Sequence, residues 1–298
     1  MHPSNKGFLR RRLKEKPILV VPAAYDMVSA KLIEEVGFEA VYLSGYGQAA
    51  SHLGMPDAGL MSFPEVLERV RHMVNAVKIP VIADADTGYG GVLNVRRTVR
   101  EFEQAGAAAI QLEDQEWPKK CGHTPGRKVI GAEEMAAKIE AAVEARQSDD
   151  LLIIARTDAR GVIGLDEAIR RGRLYEKAGA DLLFIESPQT VEELKIVGQS
   201  FRVPLMANMV DGGLTPLLPA KALEALGFKM VAYAVTLLLA AAHAVREVLR
   251  HLKVTSSTEG LTGRLMPFQE FDRLIGFPEV REFERRYHQR MRDIGEEI

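Results

Sequence analysis

Short apolar runs alternate with longer amphipathic stretches along nearly the whole chain. Eight runs, at residues 17–21, 40–43, 80–83, 108–112, 151–155, 181–185, 203–207 and 229–233, have the length and near-continuous hydrophobicity of strands buried on both faces. Between them, residues 29–36, 63–77, 92–105, 132–146, 166–178, 191–198 and 219–226 carry apolar side chains at helical spacing. A strand followed by a helix, eight times over, predicts a parallel sheet clothed in helices. Such a series in roughly 250 residues suits a closed (β/α)8 TIM barrel. A doubly wound open sheet is the alternative, yet no Gly-x-Gly-x-x-Gly follows the first strand, where a dinucleotide fold carries its phosphate loop.

The chain has 298 residues, 47% of them hydrophobic, so it can bury a substantial core, and no Ser/Gly- or Pro-rich linker divides it. Residues 1–252 are assigned to the barrel and 253–298 to a C-terminal helical extension. The longest apolar segment, 231–245, is shorter than the roughly 20 residues a bilayer requires and contains His243. It reads as the eighth strand running into a buried helix. Beyond a polar connector at 253–262, helical patterns at 267–275 and 278–291 carry Phe268, Phe271, Leu274, Ile275, Phe277 and Phe283, for which a neighbouring subunit would supply cover.

A net charge of −2 exerts no global pull toward nucleic acid or membrane. Arg10, Arg11 and Arg12 read as a solvated helix face. The run at 18–24 is barely long enough for a signal peptide and doubles as the first strand. A single cysteine forbids an intramolecular disulfide and fits a reducing, cytoplasmic setting.

That cysteine, Cys121, lies in Lys119-Lys120-Cys121-Gly122-His123, a thiol among amines and an imidazole that can tune its ionisation or hold an anion. A buried structural cysteine is the alternative. The loop around it is long and contains Gly122, Pro125 and Gly126, the composition of a mobile lid expected to stand open without substrate. Functional groups of a parallel barrel gather at the C-terminal strand ends. Here those ends present Ser44-Gly45-Tyr46-Gly47 with Asp57, then Asp84 and Asp86, Glu113-Asp114, Arg156-Thr157-Asp158, Glu186 and Asn208. Asp84 and Asp86, two apart, share a side of the strand, and with Glu113 they make an oxygen-rich set suited to Mg2+, with Mn2+ as a substitute. Capping of a helix or pairing with Arg156 would also account for them. Arg156 is either a bidentate clamp for a substrate carboxylate or phosphonate or an ion-pair partner of Glu113 or Glu186. The amides of Ser44, Gly45 and Gly47 offer a nest for a second anion. The histidines lack zinc-site spacing, and His243 reads as a packing residue.

These motifs, in this order, closely resemble the isocitrate lyase/phosphoenolpyruvate mutase superfamily over nearly the whole chain. The Lys-Lys-Cys-Gly-His loop resembles its carbon–carbon lyase branch, and Asn208 to Pro216 resembles the 2-methylisocitrate and 2,3-dimethylmalate lyases. The resemblance implies a Mg2+-dependent lyase that splits a 2-hydroxy di- or tricarboxylate into a 2-keto acid, pyruvate or glyoxylate, and a carboxylic acid. It implies Cys121 as general acid, with Lys119, His123, Glu186 and Arg156 in support. Tyr42, Ser44, Gly45, Tyr46, Gly122, Arg156, Asn208 and Thr215 would bind substrate, and Asp57, Asp84, Asp86 and Glu113 the metal. The family also implies an eighth helix exchanged between subunits, in dimers that pair into a homotetramer. A phosphonomutase acting on phosphoenolpyruvate-type substrates and an oxaloacetate hydrolase are the alternatives. Two departures bear on substrate: Tyr46 stands in loop two, and Leu239 falls where the methylisocitrate enzymes place an arginine for a third carboxylate. The second removes a counter-charge and favours a 2-alkylmalate, with 2-methylisocitrate the alternative. Ala234 offers no hydroxyl for a hydrated ketone, which counts against the hydrolase.

Overall fold

A computed structural model describes residues 7–296 and contains the expected closed barrel. Eight parallel strands follow one another in sequence order, β1 (Leu19–Ala24), β2 (Val41–Leu43), β3 (Val81–Asp84), β4 (Ala109–Glu113), β5 (Leu152–Thr157), β6 (Leu182–Ile185), β7 (Leu205–Asn208) and β8 (Met230–Tyr233), and β8 closes onto β1. The closing register pairs Leu19 with Met230 and Pro22 with Tyr233. Ahead of β1, α1 (Phe8–Arg12) contributes Leu9 to the apolar cluster that fills the barrel interior. Arg12 is buried and forks onto Glu39, at 2.9–3.1 Å, so it is not the solvated position expected of it.

The covering helices are α2 (Met27–Val36), α4 (Phe63–Ala76), α5 (Val92–Ala105), α6 (Ala132–Ala145), α8 (Leu165–Lys177), α9 (Val191–Gly198) and α10 (Ala220–Leu226). Short helices α3 (Gly45–Gln48) and α7 (Ala159–Val162) lie directly after β2 and β5. The helix starts are written in the sequence: Asp26 accepts from the Ser29 amide, and Ser62 and Glu65 form a reciprocal cap with Pro64 in the first turn of α4.

Two apolar layers result. Leu19, Val21, Tyr42, Ile82, Ala109, Ile154, Phe184, Met206, Met230 and Ala232 fill the interior. Their outward neighbours, among them Val41, Ala83, Ile110, Ile153, Leu183 and Val231, pack in the layer beneath the helices. Counting two residues onward from the interior positions reaches Ser44, Asp84, Arg156, Glu186, Asn208 and Ala234, so the pleat itself delivers the polar set to one rim.

The chain forms two compact units, one ending at Leu239 and one starting at Ala240. That division falls inside α11 (Thr236–Thr255), ahead of the expected boundary after residue 252. The second unit continues with α12 (Phe268–Ile275) and α13 (Phe277–Glu296). α11 differs from expectation: none of its residues is buried, with Leu239, Val245 and Leu249 each about half exposed and His243 in the open. In the first unit, Val20, Pro22, Leu32, Val36, Phe38 and Leu237 line an uncovered apolar groove of about 290 Å3.

Candidate active site

At the C-terminal rim a narrow cavity of about 40 Å3 is lined by Tyr42, Ser44, Tyr46, Asp57, Asp84, Cys121, Gly122, His123, Arg156, Glu186 and Asn208. Its remaining wall is apolar: Phe184, Met206, Val210, Ala232, Ala234 and Val235. Most of the expected site residues therefore meet. Gly45, Asp86, Glu113 and Lys119 stand behind those that line the cavity, and Thr215, buried without a side-chain partner, does not reach it.

The acidic side is built on β3 and β4. Asp84 accepts from the Gly45 amide at 3.2 Å, the Asp86 amide at 3.1 Å and the Gln111 side chain at 3.3 Å. The Gly47 amide is taken by Ser44 Oγ at 3.3 Å. With Gly45 and Gly47 so engaged, the turn is a brace for Asp84 and not the free anion nest expected. A side chain at Gly45 would meet Asp84 at 2.9 Å, so this approach requires glycine. Lys119 is buried between Asp57 and Asp86, 2.6 and 2.7 Å from their Oδ1 atoms. Burial raises the Asp86 carboxyl to about 6, and the Lys119 charge opposes that rise. Burial likewise pushes Glu113 well above the carboxylate range, against the pull of Arg156 and Lys119. Neither Glu113 oxygen has a hydrogen bond, and its nearest charge is Arg156 Nε at 3.4 Å. A buried carboxylate left in that state calls for a cation. Among the described residues, no three acidic, cysteine or histidine side chains stand close enough to hold an ion unaided. A cation that retains several waters, as Mg2+ does, fits such a spacing.

The opposite side centres on Arg156. Its Nε and Nη2 fork onto Asp158 at 2.9 and 3.1 Å, Nη2 also lies 3.3 Å from Glu186, and the guanidinium sits 5.1 Å over the Phe184 ring. The ion-pair and clamp readings of this residue are thus compatible, but its main partner is Asp158, which sequence reasoning had not paired with it. Asp158 is anchored in turn, its backbone amide donating to Asp114 Oδ1 at 2.9 Å. Asp114 Oδ2 accepts from Thr157, Arg171 and Tyr175 at 2.6–2.9 Å. Burial alone would raise Glu186, yet the Arg156 charge, His123 and Asn208 bring it down to about 2.

The lid lies closed. Cys121 N donates to Asp57 O at 3.1 Å, Ser187 Oγ to Gly122 O at 2.6 Å, and Leu214 N to His123 Nδ1 at 2.9 Å. Because Nδ1 accepts, the ring proton is on Nε2, which faces Glu186 Oε1 at 2.9 Å. Gly122 fits where a Cβ would come within 2.4 Å of Arg156. The loop's own composition favours mobility, and these contacts with loops distant in sequence hold it down. The lysines do not lower the thiol either. Lys119 is spent on two aspartates and Lys120 donates to Gly126 O, so burial dominates and raises Cys121 to about 11. The Cys121 thiol is a proton store at neutral pH, beside a cavity that pairs a guanidinium and a carboxylate with an apolar wall.

Comparison with known proteins agrees with this construction. Residues 9–253 match the family model described as phosphoenolpyruvate phosphomutase. A 2,3-dimethylmalate lyase of Eubacterium barkeri is 48% identical over 94% of this chain and 96% of its own, and a 2-methylisocitrate lyase of Aeropyrum pernix is 44% identical over 90% and 86%. Among solved structures, an oxaloacetate acetylhydrolase with bound 3,3-difluorooxalacetate superposes with a TM-score of 0.90 at 32% identity, covering 96% of this chain and 97% of that one. A phosphonopyruvate hydrolase in complex with oxalate and Mg2+ gives 0.86 at 34% identity, covering 95% and 99%.

Proposed function

Because the chain belongs to the phosphoenolpyruvate phosphomutase family, within the isocitrate lyase superfamily, we propose that it is a carbon–carbon bond lyase acting on a 2-hydroxydicarboxylate of the 2-alkylmalate type. The observation that carries the reading is Cys121: the protein's one thiol lines the cavity and is held protonated there. A phosphonomutase has no use for that proton.

In this reading Asp57, Asp84, Asp86 and Glu113 hold Mg2+ or Mn2+, partly through water. When bound, the metal supplies Lewis-acid stabilisation to oxygen as the substrate hydroxyl loses its proton. The protein's own residues do the rest. Arg156, fixed by Asp158, takes a carboxylate, and Glu186, ionised and held by His123, fixes the guanidinium from the other side. Cleavage between C2 and C3 leaves the 2-keto acid and the enediolate of the second acid. Cys121 gives its proton to the carbon that was C3 while the closed loop keeps solvent from competing, and once the loop opens the thiolate regains from water a proton equal to the one the substrate hydroxyl released, so the cycle consumes none. Tyr42, Ser44, Tyr46, Gly122 and Asn208 shape the substrate's berth, while Gly45 positions Asp84. Thr215 keeps only a place in the adjoining loop.

The substituents follow from the wall opposite Arg156. Ala232, Ala234, Val235, Val210 and Met206 offer alkyl contact and no cation, which supports two carboxylates over the three of 2-methylisocitrate. The absent hydroxyl at Ala234 still speaks against oxaloacetate hydrolysis. The uncovered groove and the exposed α11 support a helix-swapped dimer assembled into a homotetramer, to be checked by light scattering. Side-by-side assay of 2-alkylmalates, 2-methylisocitrate, oxaloacetate and phosphonopyruvate, with detection of pyruvate or glyoxylate, tests the activity. Turnover of phosphonopyruvate alone would overturn it.

A further inference from the structure

Behind Asp84 lies a second, smaller void of about 10 Å3. Its apolar walls include Met61 and Val66, and its polar side chains are those of Gln48, Asp57, Asp84 and Asp86. Gln48 is the last residue of α3, where the chain widens into a π-helical turn at Ala49–Leu53. Single π-turns recur at functional sites. Its side chain is completely buried, and neither the amide oxygen nor the amide nitrogen has a hydrogen-bond partner. A dry primary amide in such a place would be strongly unfavourable, and apolar Leu or Met would fill the space at no such cost.

For the amide nitrogen the void resolves the difficulty by its size. A buried water needs about 10–15 Å3 and two to four polar partners, and this space offers one water's volume with an amide and three carboxylates around it. The carboxylates have acceptor capacity to spare, since Asp57 and Asp86 each present one oxygen to Lys119 and keep another. We propose that Gln48 holds a single water against Asp57, Asp84 and Asp86, and so fixes the orientation of the carboxylates that take the metal. The amide donates to the water, and the water's two hydrogens go to carboxylate oxygens. Gln48 is thus a positioning residue of the metal site. The inference rests on the metal reading given above.

Mg2+ titration of the metal-depleted protein by calorimetry, without substrate, tests it, alongside thermal unfolding in EDTA. Gln48→Met keeps the volume and removes the amide; Gln48→Asn keeps an amide donor for the water. The Met variant is expected to melt in EDTA at or above the wild-type temperature while its Mg2+ Kd rises about tenfold or more, the usual effect of losing a group that orients metal ligands. The Asn variant should retain Mg2+ affinity within a few-fold. A Met variant binding Mg2+ as the wild type does would remove the role of Gln48, as would a loss of affinity that tracks a fall in its EDTA melting temperature. If the wild type itself takes up no Mg2+, the metal reading falls and takes this one with it.

Discussion

The protonated thiol can be measured directly. Burial carries Cys121 from an ordinary 9.0 to about 11, helped by Asp57 and Glu186 and opposed by the His123 amide and Arg156. Each pH unit is a factor of ten, so at pH 8 the thiolate fraction should be about a hundredfold below that of an unperturbed cysteine. The sign is that of any acid with a raised pKa: the thiol form persists below the folded value and is lost as pH rises through about 11. Alkylation by iodoacetamide, followed by intact mass from pH 7 to 11, reads both quantities, because Cys121 is the sole cysteine. The rate at pH 8 should be at least about a hundredfold below that of the chain unfolded in urea, and it should still be climbing at pH 10. Burial could slow the reagent without any change of pKa, so the pH dependence decides. A plateau reached by pH 9 would refute the argument even if alkylation were slow. Cys121→Ser should cost about 10²–10⁴ in kcat, the range of general acid catalysis, while keto-acid binding in Mg2+ survives. In D2O the wild type should deliver one deuterium to the former C3.

Three other outcomes follow from the geometry. Asp158→Asn breaks the fork that aims Arg156, so kcat/KM should fall about a hundredfold and urea stability by about 3 kcal/mol; unchanged kinetics would show that Arg156 needs no such support. Tyr175→Phe removes one of the hydrogen bonds to Asp114 and should cost about 1.5–3 kcal/mol in urea unfolding with kcat within a few-fold of wild type. Glu186, held at about 2 against an ordinary 4.5, contributes stability that is present above 4.5 and lost as pH falls through about 2, so it is ionised throughout the working range. Glu186→Gln should therefore lower activity by the same factor from pH 5 to 9, and a shift in the acid limb of the profile would contradict this assignment.

The barrel and its rim were legible because both depend on a period of two. Once Ile82, Ile154 and Phe184 are placed inside, Asp84, Arg156 and Glu186 must follow them to the rim, whatever the loops do. What lay beyond reading depended on contacts between distant segments. Lys119 reaches Asp57 and Asp86 across two loops, and Ser187 meets Gly122 sixty-five residues away. No local pattern encodes either. The direction of the thiol's shift was out of reach for the same reason: lysines adjacent in sequence are not adjacent in field once each has a partner of its own. Gln48 gave no signal, because a glutamine ending a short helix after Ser-Gly-Tyr-Gly looks solvated until the void beside it is seen. The exposed face of α11 was missed because an apolar helix reads as buried whatever surrounds it.

Charge sets the order of binding. Burial holds Glu113 protonated until a cation arrives, which leaves five acidic groups, Asp57, Asp84, Asp86, Asp158 and Glu186, facing the permanent cations Lys119, Arg127 and Arg156, an excess of two. A dicarboxylate would add two more negative charges to a closed, largely buried space. Attraction from Arg156 alone cannot offset that, because two carboxylates of the protein already share its guanidinium. A divalent cation offsets that excess and can draw on Glu113, whose two oxygens have no hydrogen bond and which a neighbouring cation would ionise. Metal uptake should therefore need no substrate, whereas a keto-acid product such as pyruvate should bind only once metal is present. Calorimetric titration of pyruvate into protein held in EDTA, and then into protein saturated with Mg2+, separates the two cases. Equal pyruvate affinity in both would mean that Arg156 and its neighbours balance the charge unaided, and the metal would have no place in binding.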